Sequence, residues 1–192
     1  MDFRFLPVGD DLSDDEYRGA LSVYERHLQE VDLETAGDLR RYFAHDFFHD
    51  AVIQSLGFDT SMRTLEMQLV VDPWCLGGPL GPDIEGPPLA FRCTFEGVVA
   101  FTMSTQRIDD LNDPMSEDTV SLLRCEIDGL DQLAQGFDSQ YGPKHHTLTI
   151  ETSPIERGLM IVFRSVSVVP DESGRFEVLL QHHNVRALLG LE

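Results

Sequence analysis

The N-terminal part of the chain carries apolar residues at helical spacing. Residues 13–16, Ser-Asp-Asp-Glu, form a helix capping box, and an apolar stripe with spacings of three and four follows. The stripe consists of Tyr17, Leu21, Tyr24, Leu28 and Val31. It predicts an amphipathic helix over residues 14–31. A second helix is expected over residues 34–44, and its inward side chains are Ala36, Leu39, Tyr42 and Phe43.

After His49 the apolar period changes to two, which is typical of half-buried strands. Strands are predicted near residues 49–58, 65–71, 89–103, 120–127, 146–152, 159–168 and 175–181. Gly97 interrupts the third strand, and the parity switches again before Val166, so a bend or bulge is expected at both places. A short helix or loop is expected at 130–137, and a terminal helical turn at 185–191.

These elements predict an α+β fold in one domain over residues 1–192, with N-terminal helices packed on a bent sheet. The sheet is expected to be mostly antiparallel, with about seven or eight strands, because no long helices separate the strands. The domain divides into a helical part at 1–48 and β units at 49–105 and 119–181. The two β units share an order and spacing of apolar residues, which raises the hypothesis of an internal duplication.

Composition limits the possible classes of function. The chain holds 34 Asp and Glu against 14 Lys and Arg, a formal net charge of -20, so neither nucleic acid nor an anionic membrane is an expected partner. No apolar run approaches a membrane span, and residues 1–5 lack the basic start of a signal peptide. Cys75, Cys93 and Cys125 are widely spaced, and the last two are expected to be buried. A reduced, cytoplasmic protein without a cofactor is the resulting expectation.

Negative charge is concentrated between residues 109 and 138. This segment has nine acidic residues against Arg124 alone, and they are Asp109, Asp110, Asp113, Glu117, Asp118, Glu126, Asp128, Asp131 and Asp138. One interpretation is a solvated rim that keeps the protein soluble. The other is a docking face for a basic protein partner, whose approach the field of these charges would steer.

Residues 45–50, with the sequence H-D-F-F-H-D, hold the strongest candidates for chemistry. His45 and His49 would share one face of a helix, and with Asp46 or Asp50 they have the donor types of a metal site. A metal-dependent hydrolase is therefore one hypothesis, with His45, His49 and Asp50 as its candidate ligands. The competing hypothesis is structural: both phenylalanines point inward, and the second His-Asp pair lies at a helix-to-strand junction.

Two further histidine pairs, His145-His146 and His182-His183, contain donors that could form a site. His146 is in phase with the apolar residues of its predicted strand, and so is His182 in the strand predicted at 175–181. If these strands were neighbours, the two inward rings could meet. The more common role of such residues is that of polar groups at strand ends, so no site is assigned to them.

The Gly- and Pro-rich segment 72–88 contains the single tryptophan, Trp74. An aromatic residue on such a loop can anchor a protein partner. The alternative, which is favoured, is that Trp74 and Leu76 fold back and close the end of the core.

The β segment at 46–101 resembles a family. It contains F-H-D-A-x-I at 48–53, L-x-M-x-L at 65–69 and F-x-x-T-F-E-G-V at 91–98, with a fainter echo at 146–169. It resembles a group of small bacterial proteins whose chains open a β-sheet with a His-Asp pair. Many of these proteins are uncharacterised or are immunity proteins of contact-dependent and polymorphic toxin systems. The resemblance implies an α+β protein that acts by binding, with no catalytic residues to carry over. We therefore expect an acidic, non-enzymatic, immunity-like protein-binding protein; a homo-oligomer that pairs sheet edges is a third hypothesis.

Overall fold

The computed structural model describes residues 13–31, 33–45, 47–77, 84, 86–104, 120–128, 132–142, 144–153 and 157–191. Within these ranges the chain forms five α-helices, a short 3-10 helix at Pro73–Gly77 and eight strands. The α-helices are α1 (Asp14–Glu30), α2 (Leu39–Phe43), α3 (Gln132–Tyr141), α4 (Ser173–Leu179) and α5 (His183–Leu188). The strands are β1 (Val52–Asp59), β2 (Thr64–Val71), β3 (Leu89–Glu96), β4 (Ala100–Ser104), β5 (Val120–Asp128), β6 (His146–Ser153), β7 (Arg157–Phe163) and β8 (Ser165–Pro170). The predicted α+β class is confirmed.

The eight strands pair antiparallel in the order β4-β7-β6-β5-β1-β2-β3-β8. At the centre of this order, the pairing between β1 and β5 that the structure describes is short: Val52 pairs with Ser121 and Ile53 with Val120. Two four-stranded halves result, and each exchanges its last strand with the other. β4 follows β3 but pairs with β7, whereas β8 follows β7 but pairs with β3. Internal duplication of the sequence stays a hypothesis.

The strand exchange takes place at the two predicted bends. Gly97, with φ +64, separates β3 from β4, and Arg164 separates β7 from β8. The two bends are in contact, since the backbone N–H of Arg164 donates a hydrogen bond to the carbonyl of Glu96 at 2.9 Å. Next to this contact, the rings of Phe95 and Phe163 pack edge to face, with ring centroids 4.9 Å apart. Both predicted interruptions are thus the points that connect the halves of the sheet.

α1 begins with the predicted capping box and packs beside β5. The Glu16 carboxylate accepts a hydrogen bond from the Ser13 N–H at 3.0 Å, and the Ser13 hydroxyl accepts one from the Glu16 N–H at 3.3 Å. Farther along the helix, the Tyr24 hydroxyl accepts a hydrogen bond from the Ile127 N–H at 2.8 Å. A side chain of α1 therefore satisfies a backbone donor of β5 beyond the short β1–β5 pairing. None of the helices described is long and apolar enough to cross a membrane.

The core contains a cluster of aromatic side chains between β3 and the helices α2 and α4. Its members are Tyr42, Phe43, Phe47, Phe48, Phe91, Phe95 and Phe176. Phe47 and Phe48, from the junction between α2 and β1, pack edge to face on Phe91 at 5.6 and 5.5 Å. The predictions that these two phenylalanines point inward and that Cys93 and Cys125 are buried are confirmed.

The segment before α2 lies along the outer side of β8. Gly37 forms a parallel β-bridge with Val166, whose carbonyl accepts a hydrogen bond from the Asp38 N–H at 2.8 Å and whose N–H donates to the carbonyl of Ala36 at 3.1 Å. The Asp38 carboxylate also accepts a hydrogen bond from the Val168 N–H at 2.9 Å. Three hydrogen bonds thus cover part of an edge that would otherwise expose unpaired backbone groups.

Two element predictions were wrong. The second helix, expected over 34–44, is limited to α2 because the residues before it pair with β8. The strand expected at 175–181 is helical, as α4 and the turn after it. Phe176 and Leu179, three residues apart, are buried, whereas Val178 is 63% exposed, so this apolar pattern belongs to a helix face.

Candidate functional site

Two segments that stand out in the sequence lie within electrostatic range of each other at Cys75. Trp74 is 63% exposed in the 3-10 helix. Burial, and then the carboxylates of Asp50 and Asp72, raise the pKa of the neighbouring Cys75 thiol, which places both acidic groups near it. His49 Nε2 lies 3.6 Å from Asp50 Oδ2. We call this group of five residues, His49, Asp50, Asp72, Trp74 and Cys75, the Trp74 surface.

Asp72 sets the direction of Trp74. Its carboxylate accepts a hydrogen bond from the Trp74 N–H at 3.4 Å, and its carbonyl accepts one from the Cys75 N–H at 3.0 Å, which starts the 3-10 helix. In this short helix Leu76 turns into the core and Trp74 turns outward. The expectation that both fold back was therefore right for Leu76 and wrong for Trp74.

Asp50 has a backbone conformation that is uncommon outside glycine. Its φ is +60, a region that Asp tolerates better than most residues. The Asp50 N–H donates to the carbonyl of Leu122 at 2.8 Å, and the Leu122 N–H donates to the carbonyl of Ala51 at 2.8 Å. Two backbone hydrogen bonds to β5 therefore fix Asp50, and its side chain is exposed on the Trp74 surface.

Of the candidate metal ligands that the structure describes, His49 and Asp50 lie close to each other, and His45 has different neighbours. α2 ends before His45, so His45 and His49 do not share a helix face. The His45 ring instead lies against Gly190, where a Cβ would be 3.4 Å from it. Asp46 lies outside the described residues. Among the residues that can be placed, no three His, Cys, Asp or Glu side chains could jointly hold a metal ion, and a site at His45, His49 and Asp50 stays a prediction.

Two of the acidic residues in segment 109–138 do not belong to a solvated rim. Glu126 and Asp128, expected at the surface, are buried in β5, and Asp128 Oδ1 lies 3.6 Å from His27 Nε2 of α1. Asp138 pairs with His145. The other six members lie outside the described residues, and they are Asp109, Asp110, Asp113, Glu117, Asp118 and Asp131.

His145 and Asp138 form a pair that links the start of β6 to α3. The carboxylate Oδ1 of Asp138 lies 2.7 Å from Nδ1 of the fully buried His145 ring and accepts a hydrogen bond from the His145 N–H at 2.8 Å. The condition for a meeting of His146 with His182, that both lie on neighbouring strands, is not met, because His182 precedes α5. Both His145 and His146 are buried.

The Asp138 pair predicts a pH dependence of stability. Burial raises the pKa of Asp138, but hydrogen bonds from His145 and Lys144 outweigh it and hold the pKa below its ordinary value of 3.8. This contribution is present above pH 3.8 and is lost as the pH falls through the lower pKa of the folded state. Urea unfolding at several acidic pH values should therefore show that the free energy of unfolding of Asp138→Asn depends less on pH than that of the wild type. The same pH dependence of the free energy of unfolding in both proteins would contradict this prediction.

The comparisons with known proteins add no family. No protein-family model matches the chain, and no curated protein matches it. The resemblance to immunity-like proteins therefore stays a prediction, and functional assignment depends on the geometry of the site.

Proposed function

We propose that this chain is an acidic, non-enzymatic protein-binding protein, immunity-like as its family resemblance implies, which binds a basic partner through the Trp74 surface. The observation that carries the proposal is the exposure of Trp74 in a 3-10 helix whose Cys75 lies within electrostatic range of the carboxylates of Asp50 and Asp72. A cationic toxin domain is the kind of partner that the resemblance implies.

The chemistry of the surface suits the side chains of arginine and lysine. The face of an indole ring attracts a cation with about 0.5–2 kcal/mol, depending on how far the pair is desolvated. Carboxylates add charge-assisted hydrogen bonds, because their two oxygens can accept a pair of N–H donors from one guanidinium group. Tryptophan and arginine are also the residues most enriched among the energetic centres of protein interfaces. An Arg or Lys side chain of a partner would thus contact Trp74 and a carboxylate together.

Two further properties support a binding role. The net charge of -20 attracts a basic partner over several ångströms and raises the rate of encounter at low salt. Backbone hydrogen bonds hold Asp50, and Asp72 holds the Trp74 N–H, so the surface is ordered before the partner arrives. A preorganised site loses less conformational entropy on binding.

Calorimetric titration with an arginine-rich peptide tests the role of Trp74. The wild type should bind with an affinity that falls as salt rises, because the attraction between exposed charges is screened. Trp74→Ala should weaken binding about ten-fold or more, as expected for an aromatic residue at the centre of an interface. The matched control is Met62→Ala, which removes a 71% exposed apolar side chain from the β1–β2 turn and should leave the affinity unchanged.

A charge-matched pair of variants separates the site from the overall charge. Asp50→Asn with Asp72→Asn removes two carboxylates from the Trp74 surface, and asparagine keeps both the tolerance for positive φ and the oxygen that accepts the Trp74 N–H. Glu25→Gln with Glu66→Gln removes two exposed carboxylates from α1 and β2. Only the first pair should weaken peptide binding markedly. Equal losses in both pairs would mean that net charge alone attracts the peptide.

A further inference from the structure

A cleft of about 750 Å³ lies between the end of α1, the segment that leads into α2, and the turn after α5. Its charged lining consists of Arg40, Arg41 and His45 together with Glu30 and Glu34. None of the five residues of the Trp74 surface lines it. The cleft is therefore separate from the surface of the proposed protein-binding function.

The two arginines of the cleft, Arg40 and Arg41, have no acidic partner among the residues that the structure describes. Arg41 Nε is buried without a hydrogen-bond partner, and the guanidinium carbon of Arg41 lies 5.3 Å from the centroid of the Tyr42 ring. Because no carboxylate among the described residues pairs with these arginines, an anion in the cleft would stabilise their positive charge.

The other charged residues of the cleft restrict the size of an anion that could bind there. The His45 ring lies against Gly190, which has φ +62, so the absence of a side chain there leaves room for the imidazole in the cleft wall. Glu30 and Glu34 lie along the same lining and would repel an extended polyanion. The lining therefore suits a single small anionic group near the arginines.

We propose that this cleft binds a small oxyanion, a carboxylate or a phosphate group, through Arg40 and Arg41, with His45 as a third donor. The planar guanidinium group presents paired N–H donors that match the oxygen spacing of both anions. A lysine at position 41 would keep the positive charge but would lack the planar set of paired donors.

Calorimetric titration of the full chain with inorganic phosphate and with acetate, at constant ionic strength, tests the proposal. At least one of the two probes should bind saturably. Arg41→Gln should weaken that binding about ten-fold, and Arg41→Lys should also weaken it although the charge is kept. Arg18→Gln, which removes an exposed charge from α1, is the control and should leave the affinity unchanged.

The two probes distinguish the sources of the oxyanion. Binding of phosphate alone assigns a phosphate group, binding of acetate alone assigns a carboxylate, and binding of both assigns the shared oxyanion chemistry. Arg40→Gln provides a second test at an exposed position if Arg41→Gln does not fold. Failure of both probes to bind saturably overturns the proposal, as does unchanged affinity in Arg40→Gln together with a folded Arg41→Gln.

Discussion

Replacement of Gly37 by alanine should destabilise the protein by about 3 kcal/mol or more, because it combines backbone strain with the loss of several hydrogen bonds. Gly37 has φ +69, and a Cβ there would lie 2.3 Å from the carbonyl oxygen of Val166. The backbone would have to move away from β8, and this movement would break the hydrogen bonds between residues 36–38 and that strand. Urea unfolding of the two proteins measures the difference in free energy.

Gly19→Ala is the matched control for this substitution. Gly19 lies in α1, and nothing comes within 4 Å of the position of its Cβ. Alanine there should leave stability unchanged or raise it by up to about 1 kcal/mol, since alanine is the better helix former. If Gly37→Ala unfolded at the same urea concentration as Gly19→Ala, the pairing of residues 36–38 with β8 would not contribute to stability.

Phe47→Ala should cost about 3–5 kcal/mol, the range for removal of a buried aromatic side chain. The Phe47 ring is fully buried, and it packs edge to face on Tyr42, Phe48, Phe91 and Phe176. Phe47 thereby fastens the segment between α2 and β1 to the core. Urea unfolding again measures the loss.

Phe58→Ala removes the same side chain from a more exposed position and is the control. Phe58 is 45% exposed at the end of β1, and its ring lies 6.4 Å from the ring of Phe101. Its loss should cost less than about 1.5 kcal/mol, because much of this side chain is in water in the folded state. Equal losses for Phe47→Ala and Phe58→Ala would contradict the structural interpretation of the His-Asp junction.

Most of the sheet could be predicted from the sequence because burial on one face leaves a period of two. β2 and β3 show this clearly, and Gly97 marks the bend where β3 ends. The exchange of β4 and β8 between the halves could not be predicted, because the pairing of strands far apart in sequence leaves no local signal. α4 was missed because its few apolar residues fit a period of two and a helix face about equally well.

The parts of the candidate site were visible in the sequence, but their arrangement was not. Trp74 and the His49-Asp50 pair each stood out, yet their positions depend on the hydrogen bond from the Asp50 N–H to β5 and on the one that the Asp72 carboxylate accepts from the Trp74 N–H. The outward direction of Trp74 depends on those contacts. The oxyanion cleft was missed because it joins three separate segments, although an adjacent Arg40-Arg41 pair in so acidic a chain was a signal that could have pointed to it.

Quenching of tryptophan fluorescence by acrylamide tests the proposed function most directly, because Trp74 is the only tryptophan in the chain. Its exposed ring should be quenched readily in the free protein. A saturating arginine-rich peptide should protect it, and high salt or the substitutions Asp50→Asn and Asp72→Asn should remove the protection. Unchanged quenching while the peptide is bound would place the binding site elsewhere and contradict the account.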